Sequence, residues 1–376
     1  MEVIDMAGKK LSKRELYMRA LSNEPVDELV WAPNFDYWLT INTQEDTLPD
    51  NYKGLSRNDM VRAVDGYIWN RACGLKESFD GSVKEVIKDE GNYLIKELST
   101  PVGKVREVYN RTEGEHRTPH LSEHFIKDAD SLRVMKYVVE ATHYEADYAP
   151  TSKALEETGE DGIVLNNYFC VPFIQFAKTD AGYINGFYLW ADHKPEVDAL
   201  IDAYFKLYLS GYEILAEGPA DVIAVGDNMD GTMISPSIFK EYAVPFYQEI
   251  RKITSVKGKK VEGHWCGRTQ TLLPLVPGCG LDIVEAIVTR PMADISLADA
   301  LDMLQGEVVL QGGIPAVLVC EEGGSRDDFR RYIEEVILPL KGRKGFILGM
   351  SDNVPPNADF ARVEMVARLI KDKACL

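Results

Sequence analysis

The chain opens with a pattern typical of an amphipathic helix. Over residues 11–23, apolar side chains recur at roughly helical spacing, at Leu11, Leu16, Met18 and Leu21. Glu24 and Pro25 then interrupt the pattern, because proline cannot continue a helix. A short apolar run follows, and it predicts a strand at about 28–34.

Residues 82–110 change to a period of two, which is the period of a strand. The apolar positions are Val83, Val86, Ile87, Tyr93, Ile95, Val102, Val105 and Val108. Turn-forming residues divide them at 89–92 and 101–103. This pattern predicts antiparallel β-structure with two turns, which we interpret as an insertion in a larger domain.

From about residue 137 onward, helical segments alternate with short apolar runs that end in polar residues or glycine. The runs lie at 162–165, 221–225, 260–262, 281–284, 308–310 and 346–348. Together with 28–34 they make seven strands, and we expect an eighth between 60 and 160. This rhythm predicts a (β/α)8 TIM barrel carrying an N-terminal β insertion. The alternative is a doubly wound open sheet, which is less favoured because no glycine-rich phosphate loop follows any strand.

Composition fits one such domain and excludes several partners. The 376 residues carry a formal net charge of −18, with 45% hydrophobic and 27% charged residues, and no linker-like segment divides them, so we treat 1–376 as a single domain. An acidic chain repels phosphate backbones and anionic lipids, so neither nucleic acid nor a membrane surface is expected as a partner. No apolar run approaches the roughly 20 residues that span a bilayer, and the six cysteines are widely spaced. We expect a cytoplasmic enzyme with free thiols; homodimers are a common assembly of such proteins.

In a parallel barrel, the reactive side chains lie just after the strands, where the loops meet over the barrel mouth. This rule makes the strand ends a list of candidates: Asp36, Asn166, Asn167, Asp227, His264, Cys266, Glu285, Gln311 and Asp352.

The sharpest local signal is the segment Gly263-His-Trp-Cys-Gly267 at a strand end. A histidine and a cysteine two residues apart can both turn toward one ion, and glycines on either side permit a close backbone approach, so this is a candidate zinc half-site. The competing interpretation is a buried histidine bonded to a backbone carbonyl beside an inert thiol.

Several segments, in this order, resemble the uroporphyrinogen decarboxylase superfamily, and specifically its corrinoid-linked methyltransferase branch. They are Lys13-Arg-Glu-Leu16, Ala20-Leu-Ser-Asn-Glu-Pro-Val-Asp27, Gly226-Asp227, Met233-Ile-Ser-Pro236, Phe239-Lys-Glu-Tyr242, Gly263-His-Trp-Cys-Gly267, Asp282-Ile-Val-Glu-Ala286, Pro291-Met-Ala-Asp294, Gln311-Gly-Gly-Ile-Pro315 and Gly349-Met-Ser-Asp-Asn-Val-Pro-Pro356. The resemblance extends over nearly the whole chain and implies a (β/α)8 barrel.

Two departures from the family pattern point to the methyltransferase branch. The decarboxylases carry Arg-Gln-Ala-Gly-Arg after the first strand to hold substrate carboxylates, whereas this chain has Pro33-Asn-Phe-Asp-Tyr-Trp38. The zinc methyltransferases have a final cysteine after the last strand, and the matching position here is Ser351 beside Asp352. Cys279 precedes a strand and would lie at the opposite face of the barrel. We therefore favour Glu285 as the third zinc ligand, with Asp352 second; either carboxylate could instead bond loop amides or a substrate hydroxyl.

A carboxylate in place of a thiolate makes zinc a stronger Lewis acid toward oxygen. The resemblance then implies transfer of a methyl group between a small O-methyl compound and the corrinoid (cobalamin) of a partner protein. We expect Asp227 and Glu285 in catalytic roles, and Asp36, Asn167, Trp265, Gln311 and Asp352 in substrate binding. Aromatic residues near the mouth could form an apolar pocket: Phe35, Tyr37, Trp38, Tyr168, Phe169 and Trp265.

Two other functions remain open at this point. A metal-free tetrapyrrole decarboxylase would need basic residues at the mouth, for which Arg117, Arg268 and Arg290 are the candidates. A non-catalytic corrinoid-protein-binding subunit would keep the fold with an occluded or metal-free mouth.

Overall fold

A computed structural model describes residues 11–111, 119–167 and 169–372. Its strands are β1 (Ile68–Ala72), β2 (Leu75–Phe79), β3 (Lys84–Glu90), β4 (Tyr93–Thr100), β5 (Gly103–Asn110), β6 (His120–Glu123), β7 (Thr142–Ala146), β8 (Gly162–Asn167), β9 (Val222–Val225), β10 (Lys260–His264), β11 (Ile283–Ile287), β12 (Val309–Ile314) and β13 (Phe346–Met350).

The α-helices lie mainly between these strands. They are α1 (Lys13–Leu21), α2 (Asp36–Gln44), α3 (Arg57–Ala63), α4 (Ala129–Glu140), α5 (Ala149–Thr158), α6 (Pro172–Ile174), α7 (Tyr183–Asp192), α8 (Lys194–Glu217), α9 (Pro236–Ile238), α10 (Val244–Ser255), α11 (Leu297–Met303), α12 (Arg326–Tyr332) and α13 (Phe360–Asp372). Among the described residues, no helix has both the length and the apolar character needed to cross a membrane.

A parallel sheet in the order β1-β8-β9-β10-β11-β12-β13 forms the centre of the molecule. Residues 30–32 join its two edges: Ala32 N donates to Leu348 O of β13 at 2.8 Å, and Tyr67 N, just before β1, donates to Trp31 O at 2.7 Å. These bonds close the sheet and confirm the predicted (β/α)8 barrel. The expected eighth strand is β1.

The predicted insertion is an antiparallel sheet of strands β3, β4, β5 and β6. It extends beyond the predicted range of 82–110, because β6 pairs with β5. Its inward positions include Val83, Leu98 and Val105, which join the same apolar core as α4. All residues of β3 are exposed, Val86 and Ile87 among them.

Helix α1 closes the lower end of the barrel, where the strands begin. Ser12 and Glu15 form a capping box that starts the helix. Tyr17 packs against the first inward residues of several strands, Ile163, Val222 and Ile283 among them. The Tyr17 hydroxyl reaches into the barrel and donates to Gln311 Oε1 at 2.8 Å. The helix therefore contributes both apolar packing and a buried hydrogen bond to the barrel interior.

Removing the Tyr17 hydroxyl tests how much this buried hydrogen bond stabilises the barrel. We expect Tyr17→Phe to lower the free energy of unfolding by about 1–3 kcal/mol, because buried Gln311 would lose its partner. Urea denaturation would measure the change. Tyr188→Phe is the control, because Tyr188 is 68% exposed, and a surface change of this kind alters stability by at most about 0.5 kcal/mol. Equal effects in the two variants would contradict the structural role of the Tyr17–Gln311 hydrogen bond.

Candidate active site

The candidate site begins at the carboxyl end of β10, where His264 is the last strand residue. The parallel pairing with β11 sets His264 opposite Glu285, and His264 Nδ1 lies 2.5 Å from Glu285 Oε2. A carboxylate can only accept, so the imidazole donates its Nδ1 proton. In the neutral imidazole this leaves Nε2 as the nitrogen available to a metal ion, which would take the place of a proton there.

A β-bulge sets the direction of Glu285. The register between β11 and β12 shifts between Glu285 and Ile287, and Ala286 between them has φ of 65°. A non-glycine residue in this left-handed region is strained. Bulges of this kind re-aim side chains next to active sites, and here the strained residue directly follows the carboxylate that contacts His264.

Three side chains converge at the barrel mouth: His264, Cys266 and Asp352. Their nitrogen, sulfur and oxygen ligand atoms all lie within 4.8 Å of one another. A donor set of one imidazole, one thiolate and one carboxylate suits zinc and leaves a fourth position open. Among the described residues, no other group of three such side chains meets this distance.

The loop after Cys266 is held tightly by the neighbouring loop after β9. Gly267 N donates to Met229 O at 3.1 Å, and Met229 N donates to His264 O at 3.3 Å. A Cβ atom on Gly267 would lie 2.6 Å from Met229 O, which is too close for any other residue. The glycine noted in the sequence therefore allows the close contact that fixes Cys266.

Glu285 belongs to a buried polar layer beneath the three converging side chains. Glu262 and Glu285 are 2% and 1% exposed. Burial, with a further contribution from Glu285, raises the pKa of Glu262 to about 8, so Glu262 keeps its proton at neutral pH. Arg71, at the end of β1, lies 3.6 Å from Glu285 Oε2. The layer thus places the Glu285 carboxyl group between a histidine and an arginine.

The charges around His264 favour a cation at this position. Burial lowers the pKa of His264, but the Glu285 carboxylate and Cys266 outweigh burial and hold the pKa well above its usual range. The negative groups that stabilise a proton on the imidazole would also stabilise a metal ion beside it. Asp352 is an acid, so its burial has the opposite effect and raises its pKa.

Asp227 is fully buried, and both of its carboxylate oxygens are engaged. Oδ1 accepts from Val171 N at 2.7 Å, and Oδ2 accepts from the Tyr247 hydroxyl. Burial raises the pKa of Asp227 to about 6, although these two hydrogen bonds oppose the shift. The side chain joins the loops after β8 and β9.

Two residues expected to bind substrate lie instead in the packed interior. Gln311 is 2% exposed and accepts from Tyr17 below it. Trp265 is completely buried, and its ring packs edge-on against Phe239 with centroids 5.5 Å apart. The alternation of a strand directs Gln311 into the barrel, and the turn after β10 directs Trp265 away from the mouth.

The remaining expected site residues lie near the mouth in different settings. Asp36, in the first turn of α2, forms an ion pair with Arg57, and Arg57 also donates to Trp69 O at 3.2 Å. Asn167 ends β8 and is half-buried. Neither residue is one of the three converging donors, and Asp36 has a structural partner in Arg57.

Most of the aromatic residues considered for a pocket pack in the core. Trp38 stacks on Phe360, Phe35 packs edge-on against the same ring, and Phe169 stacks on Tyr208. Tyr37 is 36% exposed, and Tyr168 lies outside the described residues.

Sequence reasoning missed Arg71 and Glu262. Glu262 lies two residues before His264, so the period of a strand places both on the same inward face. That signal was present in the sequence. Arg71 lies on β1, the strand that had not been located. Of the arginines considered for a tetrapyrrole site, Arg268 and Arg290 are exposed, and Arg117 lies outside the described residues.

Comparisons with known proteins agree with this architecture. The model of the family "Uroporphyrinogen decarboxylase (URO-D)" matches residues 178–373. A methyltransferase from Methanosarcina mazei is similar in structure, with a TM-score of 0.61 and 13% identity over 97% of this chain and 100% of the other. At this identity the likeness shows the fold alone.

Other solved structures are more distant. A putative vitamin-B12-independent methionine synthase from Listeria monocytogenes has a TM-score of 0.38 and 12% identity over 61% of this chain and 71% of its own. A D-psicose 3-epimerase from Clostridium cellulolyticum H10 has a TM-score of 0.36 and 12% identity over 61% and 83%. Scores this low carry no argument. The search among curated proteins gave no match.

The pKa of Asp227 predicts a specific dependence of stability on pH. An ordinary aspartate loses its proton near pH 3.8, whereas folded Asp227 keeps it to about pH 6. Between these values the folded state binds more protons, so this residue makes the free energy of unfolding fall as pH rises. Two pH units correspond to roughly 3 kcal/mol.

Asp227→Asn cannot titrate, so its stability should lack this decline between pH 4 and 6. Urea unfolding at pH 4, 5, 6 and 7 would measure the difference from wild type. The control is Asp192→Asn, an exposed aspartate that should keep the wild-type slope. Parallel curves for wild type and Asp227→Asn would show that Asp227 titrates normally.

Proposed function

The chain belongs to the uroporphyrinogen decarboxylase (URO-D) family, whose model matches over half of it, and from this premise we propose that it is a zinc-dependent methyltransferase. In this proposal, it moves a methyl group between a small O-methyl compound and the corrinoid cofactor of a partner protein. The observation that carries the proposal is the convergence of His264, Cys266 and Asp352 at the barrel mouth, with ligand atoms within 4.8 Å of one another.

We assign Asp352 as the third zinc ligand and give Glu285, favoured in the sequence analysis, a different part. Glu285 Oε2 is occupied by His264 Nδ1 at 2.5 Å. A carboxylate that accepts from the second nitrogen of a metal-binding histidine sets its tautomer and ring orientation. In this assignment, Glu285 supports the metal centre through His264, and the oxygen ligand comes from Asp352.

When bound, zinc supplies Lewis-acid polarisation of the oxygen that carries the methyl group. The corrinoid of the partner protein would supply a Co(I) nucleophile that accepts the methyl group, and the oxygen would keep the electron pair of the broken bond and take a proton from solvent. His264, Cys266 and Asp352 would hold the metal in the mouth, and Glu285 would keep the imidazole in the correct orientation.

Asp227 has a positioning part in this proposal. Its carboxylate is fully buried and accepts from Val171 N and the Tyr247 hydroxyl, so neither oxygen is open to a substrate. It holds the loop after β8 against the start of the loop after β9. This assignment replaces the catalytic role expected for Asp227 from the sequence.

The structural likeness to the Methanosarcina mazei methyltransferase supports the proposal, since the two chains match over almost their whole lengths. A tetrapyrrole decarboxylase is less well supported. Substrates of that kind carry many carboxylates, which require several converging cations. The residues at 33–38 contain no arginine, and Arg268 and Arg290 are exposed on separate loops.

The first test is the metal content of the purified protein. We expect close to one zinc per chain in wild type and loss of zinc in a His264→Ala/Cys266→Ala double variant, because two of three ligands are removed. Asp352→Asn should weaken zinc retention, and Cys73→Ala, which removes an exposed thiol outside the group, should not.

Elemental analysis would measure the zinc, with circular dichroism to establish that each variant is folded. Methyl transfer from O-methyl compounds to a Co(I) corrinoid should follow the zinc content. Folded wild type that binds no zinc, even after reconstitution, would overturn the proposal and favour a metal-free function.

A second test concerns the support that Glu285 gives to His264. Glu285→Gln should weaken zinc affinity by about 10–100-fold, which is typical for the loss of such a partner. Competition with a chromogenic chelator would measure the affinity. Glu262→Gln is the matched control, because Glu262 lies in the same buried layer and does not bond to His264. Equal zinc affinities in Glu285→Gln and wild type would remove Glu285 from the metal centre.

A further inference from the structure

Arg71 places a positive charge at the barrel mouth whose hydrogen-bond donors are largely unused. Its nearest acidic partner is Glu285, with Nη2 and Oε2 3.6 Å apart, a distance too long for a hydrogen bond. Among the described residues, none accepts a hydrogen bond from this guanidinium. An arginine has five N–H donors arranged to match a carboxylate, and the Glu285 carboxylate is too distant to accept hydrogen bonds from them.

The guanidinium is nevertheless held in a defined position. It lies over the ring of Trp69, 4.7 Å from the centroid, and Trp69 is 2% exposed and donates to Pro33 O at 3.3 Å. Stacking on a fixed aromatic ring reduces the freedom that a flexible side chain would lose on binding a ligand. The Arg71 side chain is also 32% exposed, so a molecule from solvent can reach it.

A second polar group lies next to Arg71 on the neighbouring strand. In the parallel pairing of β1 and β8, Arg71 stands opposite Leu165. Asn167 is the next residue on the same face of β8, one step nearer to the mouth. Among the described residues, none forms a hydrogen bond with the Asn167 side chain. The two strands therefore present a guanidinium and, two residues farther toward the mouth, an amide on the same face.

Cations at the mouth would offset the charge of an anionic ligand. A bound zinc ion would balance the charges of Cys266 and Asp352, and Arg71 lies beside Glu285. The partial burial of Arg71 would strengthen its contact with a ligand carboxylate.

We propose that Arg71 and Asn167 bind a carboxylate of the methyl donor, so that the substrate class is anionic O-methyl compounds. This inference rests on the proposed function and extends it to substrate choice. Arg71 and His264 both contact Glu285 Oε2, at 3.6 and 2.5 Å. One small molecule can therefore place its carboxylate at Arg71 and its methoxy group near His264.

The test compares a matched pair of compounds, 4-methoxybenzoate and its neutral analogue 4-methoxybenzamide. Isothermal titration calorimetry would measure the affinity of each for wild type, Arg71→Gln and Arg71→Lys. We expect wild type to bind the acid at least tenfold more tightly than the amide, because charge-assisted bidentate bonds form only with the acid. Arg71→Gln should lose this preference and bind the amide as wild type does, and Arg71→Lys should keep part of it.

Arg290→Gln is the control, since it removes an exposed arginine from a loop at the same end of the barrel and should keep the wild-type preference. Asn167→Ala should reduce acid affinity by a smaller factor than Arg71→Gln. Zinc content is measured in every variant, so that a loss of metal is separated from a loss of anion binding.

Several results would overturn the inference. An acid preference that survives in Arg71→Gln, or wild type that binds neither compound, would contradict it. Lower zinc content in Arg71→Gln with an unchanged acid-to-amide ratio would make Arg71 a counter-ion of Glu285 only. If wild type holds no zinc and transfers no methyl group, the proposed function fails. An acid preference that depends on Arg71 would in that case still support a carboxylate site.

Discussion

The contact between His264 and Glu285 determines the arrangement of the whole candidate site. It arises from the parallel register of β10 and β11, which sets the two residues opposite each other, and from the bulge after Glu285 that re-aims the chain. The ligand atoms of His264, Cys266 and Asp352 lie within 4.8 Å of one another. Arg71 Nη2 lies 3.6 Å from the same Glu285 oxygen that contacts His264. Glu285 thus contacts both His264, one of the three candidate metal ligands, and Arg71 of strand β1.

This contact requires charged groups inside a barrel that is otherwise apolar. Burying a lone carboxylate is costly unless it is paired, and the structure reduces the cost in two ways. Glu285 is flanked by His264 and Arg71, while Glu262 retains its proton. Below this layer, Tyr17 and Gln311 form a neutral hydrogen bond, and α1 seals the barrel with apolar side chains. The strained φ of Ala286 is tolerated because strands on both sides hold β11 in place.

The sequence predicted the strands of the barrel except β1, and the predicted strand at 28–34 is reduced to a parallel bridge between Trp31 and Leu348. Six of the seven predicted runs ended near the residues where the strands end, because buried parallel strands are nearly continuous in apolar residues. β1 escaped detection because Asn70 and Arg71 interrupt its apolar run. Asn70 forms hydrogen bonds with Arg57 and Thr158. Arg71 faces the barrel mouth. Arg71, which sequence reasoning did not place at the site, therefore lies on β1, the strand that sequence reasoning did not locate.

By itself, the sequence determined the fold class and placed His264, Cys266, Glu285 and Asp352 at strand ends on one side of a barrel. It could do so because the apolar run of a strand can be recognised locally, and all strands of a parallel sheet end at the same edge. Only the tertiary structure decided which of these atoms meet. The sequence placed Glu285 and Asp352 at strand ends and favoured Glu285 as the ligand. The register of β10 and β11 instead brings Glu285 to Nδ1 of His264, and Asp352 lies with Cys266 and His264. Register and side-chain direction depend on the packing of distant segments, which no local pattern encodes.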